Sequence, residues 1–291
     1  MSERERRVEE LIEEFDWYDG VYKRDEMEEA LTLREEITPH LIRILEEVAA
    51  DPQRYADEDH YANVYAVALL AYFQEPAACL PIIRAFCIPE EQADILWSDM
   101  VTETLPVLLV QTCNGRLDAI KELILDKEAP GYVRGAAVEA LAYAVARDLA
   151  GREEIIAFLA GLLTGTEAAA DSYFWGNVVC TISDLHPQEA MGAIRQAFAE
   201  GLVPPDYVGL EDIERDLARD REEVLAELRA SVERRAPQDV HDYLSWFACF
   251  HESPPLPPSP ASLVDTAQQK KKRANRAKGK LAKKARKKNR R

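Results

Sequence analysis

Apolar residues along this chain recur at spacings of three and four, the period that gathers them on one face of an α-helix. The pattern is clearest in Tyr61…Ala66-Val67…Leu70-Ala71-Tyr72, which returns as Tyr132…Ala137-Val138…Leu141-Ala142-Tyr143, six identities at a constant offset of 71 residues. A fainter copy runs Tyr173…Val178-Val179…Ile182. Two-helix repeats have periods of about 33 to 47 residues. The offset is about twice that length, so the recurring helix is the same element in units two places apart. Strand-like alternation over more than four residues is hard to find. The pattern predicts an all-α fold, an α-solenoid of helix pairs stacked in series.

Gly, Pro and Asn punctuate these runs where a helix must stop and the chain turn back. Thr38-Pro39 reads as an N-cap with Pro at the first helical position, opening a helix over 39–50 that ends before Asp51-Pro52. Glu75-Pro76 parts 61–74 from 77–87, and Asn114-Gly115 parts 103–113 from 117–126. Gly151 parts 132–149 from 152–163, and His186-Pro187 parts 172–185 from 188–200. Beyond residue 200 the spacing loosens: 201–207 reads as a loop and 210–217 as a short acidic helix. Residues 221–235 and 238–250 read as a last helical pair, closing the array with a polar outer face.

Charge divides the chain where periodicity does not. Of 291 residues, 36 are Lys or Arg and 53 are Asp or Glu, for a net charge of −17. Residues 270–291 hold 14 of the basic side chains and no acid, so residues 1–269 carry −31. Two oppositely charged parts on one chain point to binding, because Coulomb attraction needs neither pocket nor catalytic geometry. The tail has no aromatic residue, which leaves phosphate contact without base stacking or sequence reading. Lys271, Lys272, Arg273, Lys283, Lys284, Arg286, Lys287 and Lys288 are expected to act collectively on RNA, ribosomes or another polyanion. Such a segment is disordered by itself, and the Pro-rich run before it is an extended spacer of about 3.1 Å per residue. The expected organisation is an acidic helical-repeat domain over 1–252, a Pro-rich linker over 253–269 and a basic tail over 270–291. The chain has no run of eighteen apolar residues and no apolar leader core, so a cytoplasmic location without membrane insertion is expected.

Candidate chemistry is sparse. Cys79, Cys87, Cys113, Cys180 and Cys249 form no C-x-x-C pair and sit mostly in apolar runs, as reduced, buried thiols do. His40, His60, His186, His241 and His251 are scattered and suit caps or surface contacts better than metal ligation. Glu35 and Glu36, Asp94, Asp99 and Glu103 could pair carboxylates for acid–base work, Asp99 and Glu103 four apart on one helix face. In a body of −31, however, neighbouring acids are expected, and helix starts attract them. No phosphate loop, nucleophile elbow or dinucleotide fingerprint occurs. No metal, cofactor or catalytic residue is assigned, and the expectation is a protein that is not an enzyme. Trp97 and Trp175 are the candidates for anchoring a protein partner, with core packing as their competing role. Residues 51–100 contain only Arg54 and Arg84 as bases, which disfavours a nucleic-acid groove there.

The unit Pro130-Gly131-Tyr132-Val133-Arg134-Gly135-Ala136-Ala137-Val138-Glu139-Ala140-Leu141 resembles a HEAT repeat in its Val-Arg pair near a helix start, followed by Ala and Leu on the packing face. Arg134 is then placed to cap, or to pair with an acid of, the adjoining unit. Over residues 8–220 the chain resembles a bacterial family of unknown function, DUF1186. Glu35-Glu36-Ile37-Thr38-Pro39, Ala66-Val67-Ala68-Leu69-Leu70-Ala71-Tyr72-Phe73 and Tyr132-Val133-Arg134-Gly135-Ala136-Ala137 carry that resemblance. It implies a bacterial helical-repeat protein and transfers no activity. Some relatives end in a Cys-rich zinc-binding motif of the kind at the SecA C-terminus; here no Cys follows Phe250. The function expected is a binding or scaffold protein, its acidic solenoid holding a protein partner and its tail tethering the assembly to a polyanion. An enzyme on a HEAT-like scaffold and self-association of tail with body are the alternatives.

Overall fold

The computed structural model describes residues 2–57, 60–170, 172–204, 207–245 and 247. The Pro-rich linker and the basic tail, with all its expected contact residues, lie outside them, as do Trp246, Cys249 and His251. The described residues fall in one compact unit, 1–250. Their regular structure is helical throughout, with no strand among them. The helices are α1 (Glu3–Asp16), α2 (Arg24–Thr32), α3 (Arg34–Ala50), α4 (Pro52–Asp57), α5 (Ala62–Tyr72), α6 (Cys79–Phe86), α7 (Glu90–Leu96), α8 (Met100–Glu103) and α9 (Leu105–Thr112). They continue as α10 (Asp118–Leu125), α11 (Gly131–Ala146), α12 (Arg152–Ala160), α13 (Tyr173–Asp184), α14 (Met191–Ala199), α15 (Leu210–Leu217), α16 (Arg221–Arg235) and α17 (Val240–Ser245).

Helices α5, α9, α11 and α13 pack side by side in chain order as an inner layer, with α3 against α5. Every residue of α9, and all of α5 except Tyr72, is buried. A helix surrounded on all sides must be apolar all round, and the alanines of α5 and α11 let neighbouring backbones come close. Outer helices α6, α10 and α12 pack on this layer. They are one-sided, as in α10, which buries only Ile120, Leu123 and Ile124. Gln74, Asn114, Asp148 and His186, which follow α5, α9, α11 and α13, all adopt left-handed backbone. The amide of Glu75 reaches the Leu70 carbonyl at 3.0 Å, and that of Leu149 the Ala144 carbonyl at 2.9 Å. These six-to-one bonds stop α5 and α11 and reverse the chain, and a left-handed residue follows α9 and α13 as well.

Arginines close the helix ends from neighbouring elements, where the last carbonyls carry partial negative charge. Arg34 donates to the Phe73 carbonyl at 2.6 Å. Arg152 donates to the carbonyls of Leu185 and His186, the first at 2.6 Å, and pairs with Glu189. Arg134 caps α10 through Ile124 at 2.9 Å and reaches the Glu167 backbone carbonyl at 3.0 Å, so it is a cap rather than the partner of an acid side chain. Its unbonded Nη2 belongs to a guanidinium lying over the Phe174 ring, 4.2 Å from the centroid, a cation–π contact.

Two expectations change. Helix α3 starts at Arg34, one turn before Thr38-Pro39, and Pro39 lies inside it. Thr38 is no cap; its hydroxyl donates back to the Arg34 carbonyl at 2.7 Å. The last helices, expected to close a serial array, pack elsewhere. Helix α16 lies on α11 and α13, and α17 lies on α5. The pair folds back over the inner layer. His241 of α17 completes the return, bonding the Tyr22 hydroxyl at 2.8 Å and Glu28 at 3.0 Å.

Candidate functional site

A cleft opens where α11 and α13 begin, because these helices start with large side chains above small ones. Tyr132 is the second residue of α11 and Tyr173 the first of α13, and each is followed three residues later by glycine, Gly135 and Gly176. A methyl group at Gly135 would sit 2.3 Å from the Asn177 amide nitrogen, and one at Gly176 would sit 2.4 Å from the Tyr207 ring. Glycine is therefore what lets α13 approach α11 and lets Tyr207 lie down on α13. The Tyr207 hydroxyl donates to Asn177 Oδ1, and its ring lies 5.7 Å from that of Tyr173. Tyr132, Tyr173 and Tyr207 remain 56 %, 49 % and 39 % exposed.

The cleft has two lobes that share Thr102, Tyr132, Tyr173 and Asn177. The smaller, about 490 Å³, is lined by the three tyrosines with Glu103, Glu139 and Arg235. The larger, about 690 Å³, has apolar walls including Ile88, Val101, Val133 and Phe174, together with Glu90, Asp94 and Asp99. Glu90, Asp94, Asp99 and Glu103 have no ion-pair partner among the described residues, whereas Glu29, Glu189 and Glu227 elsewhere are each matched to an arginine. The paired carboxylates considered for acid–base work thus fall on this cleft at Asp99 and Glu103, while Glu36 pairs with Arg4 at the opposite end of the chain.

Below the smaller lobe a polar network fixes α16 to α11. Glu139 accepts from the Tyr143 hydroxyl and from Arg235 at 3.2 Å, and Arg235 also bonds the Tyr143 oxygen at 2.6 Å. Burial and the adjacent carboxylate hold the Tyr143 phenol well above its usual range. Asp184 of α13 is an exposed residue, yet crowding of its carboxyl by the surrounding protein, with repulsion from Glu139 and Asp216, pushes its pKa up to about 6. Glu139, Arg235 and the Tyr143 hydroxyl satisfy one another. Burial raises Cys87 to about 11 and Cys180 to about 12, which keeps both as thiols. Among the described residues no group of three His, Cys, Asp or Glu side chains converges as metal ligands.

The tryptophans proposed from sequence to anchor a partner are core residues. Trp97 is 1 % exposed, stacks on Phe86 at 4.2 Å and donates to the Ala85 carbonyl at 2.8 Å. Trp175 is fully buried and donates to Ala169 at 2.7 Å. Both indoles are packed in the core of this structure. The histidines are dispersed: His40 lies beside Arg43, His60 pairs with Asp16 at 2.6 Å, and His186 meets the Arg219 carbonyl at 3.1 Å. The exposed tyrosines that sequence reading missed were already in its repeat. Tyr132 and Tyr173 open the second and third copies, but there they served only to mark a helix start.

Comparison with known proteins matches residues 6–251 to the family described as Protein of unknown function (DUF1186). The chain belongs to the DUF1186 family. It is 31 % identical over 205 residues to an uncharacterized protein of Chlamydia trachomatis serovar D, covering 70 % of this chain and 81 % of that one. An uncharacterized protein of Chlamydia muridarum is also 31 % identical over 205 residues, covering 70 % of this chain and 82 % of that protein. No solved structure matches. The family match spans the residues that line the cleft.

Proposed function

We propose that this DUF1186 protein is a cytoplasmic binding and scaffold protein. In this reading its helical body is a HEAT-like solenoid that engages a protein partner, and its basic tail tethers the assembly to RNA, ribosomes or another polyanion. The division of charge carries it: −31 over residues 1–269 and +14 over 270–291. An acidic body repels polyphosphate, so any attraction to it must come from the tail. The body supports a binding role through a tyrosine-lined cleft whose Glu139 and Arg235 are engaged with each other and whose Glu90, Asp94, Asp99 and Glu103 have no cationic partner among the described residues.

The test is sedimentation with bacterial ribosomes and RNA, comparing the full chain with one ending at Ser262. The full chain should co-sediment and the shortened one should not, and nuclease should release it. Eight tail contacts acting together should cost about a thousandfold or more in affinity between 50 and 200 mM salt. Equal sedimentation of the two chains would sink the tether.

A further inference from the structure

We propose that the cleft at the starts of α11 and α13 is a docking site for an extended, arginine- or lysine-bearing peptide segment of a partner protein. One cationic side chain enters the smaller lobe among Tyr132, Tyr173 and Tyr207. This names the partner chemistry for the binding role above and rests on that reading.

Three observations converge on a cation. The first is aromatic: three tyrosine rings line one lobe of about 490 Å³ while staying substantially exposed. Ring faces attract guanidinium and ammonium groups, and do so more strongly as water is displaced. The second is charge. The two lobes are lined by Glu90, Asp94, Asp99, Glu103 and Glu139 against a single base, Arg235, which is already bonded to Glu139 and the Tyr143 oxygen. Four of these five carboxylates have no cationic partner among the described residues, so the unmatched charge of the cleft is negative. The third is built geometry. Gly135 and Gly176 admit Asn177 and the Tyr207 ring where any larger residue would displace them. The Tyr207 hydroxyl holds Asn177 by its oxygen, which leaves the amide N–H groups to donate to a peptide carbonyl. The larger lobe, walled by Ile88, Val101 and Val133, accepts an apolar neighbour in the same segment. A polyanion is excluded by the same charges, which separates this site from the tail's role.

The test uses the full chain and a fluorescent nonapeptide of alternating arginine and serine, read by anisotropy. Its control is the same peptide with neutral citrulline in place of arginine. The arginine peptide should bind and the citrulline peptide should not. Tyr132→Ala and Tyr173→Ala should each weaken binding about fivefold, and Glu103→Gln should weaken it by less. Tyr72→Ala, an exposed tyrosine away from this cleft, should leave it unchanged. Both cleft tyrosines are exposed, and circular dichroism will show that the variants remain folded. Equal binding of the citrulline peptide, or unchanged binding by a folded Tyr132→Ala/Tyr173→Ala variant, overturns the proposal. So does binding that appears only in the chain ending at Ser262, since the cleft would then serve this protein's own tail. If ribosome sedimentation persists while the peptide fails, this inference falls and the tether stands.

Discussion

At Gly176 the missing side chain is what the site is made of, since a methyl there would lie 2.4 Å from the Tyr207 ring. Gly176→Ala should therefore destabilise by about 1–3 kcal/mol through overpacking. The same substitution in a Tyr207→Ala background should be neutral or stabilising by up to about 1 kcal/mol, the ordinary helix preference of alanine over glycine. A double-mutant cycle in urea checks the reversal of sign. Trp175→Phe keeps most of the packing but strands the Ala169 carbonyl, and should cost about 1–3 kcal/mol with no change in peptide binding. Asp184 gives a pH-dependent case. Its folded pKa is raised from 3.8 to about 6, so ionisation opposes folding above that range and has no effect where both states are protonated. Asp184→Asn should stabilise above pH 6, and the gain should fade between pH 6 and about 4. Because solvent reaches the carboxylate, its size should be about 1 kcal/mol after screening. Urea midpoints from pH 4 to 8 decide it. Composition cannot separate these roles, since Tyr173, Phe174 and Trp175 form one aromatic run; two residues apart on a helix, Tyr173 and Trp175 lie on opposite faces, and only the packing shows which face is buried.

Between elements, the decisive contact is the one that lays α16 on α11. Only Val224, Leu225 and Val232 of α16 are buried, so the Arg235–Glu139–Tyr143 network supplies much of its hold. Arg235→Gln should raise amide exchange across 221–245 by about tenfold or more while α9 and α11 stay protected, as expected of a separately opening unit. Exchange mass spectrometry measures both in one experiment, and uniform loss of protection would contradict it. The helices themselves were largely legible in the sequence. The limits of α15 and α16 agree with 210–217 and 221–235, and α5, α9 and α13 stop within a few residues of the Gly, Pro or Asn punctuation, whereas α11 ends at Ala146, short of Gly151. What was not legible was where the last pair goes. A six-residue α17 joined through His241 carries no periodic signal, and its partners Tyr22 and Glu28 lie more than two hundred residues away. The start of α3 was misread for a local reason: Pro39 is tolerated inside a helix whose Thr38 hydroxyl bonds back to Arg34.

For the molecule as a whole, a body at −31 repels itself. Added salt screens that repulsion, so the midpoint of thermal unfolding should rise by a few degrees between 20 and 300 mM sodium chloride; scanning calorimetry checks it, and a fall would mean that ion pairs dominate. The long-range closure through His241 bears on the order in which the protein forms. Neighbouring helices join residues close in sequence, and such contacts are made quickly, whereas a bond spanning 219 residues must wait for a large loop to close. The stacked helices can therefore assemble while the chain is still being synthesised from its N-terminus. The Tyr22 hydroxyl and Glu28 can meet His241 only once residue 241 has been made. Closure of the fold therefore waits on the synthesis of α17.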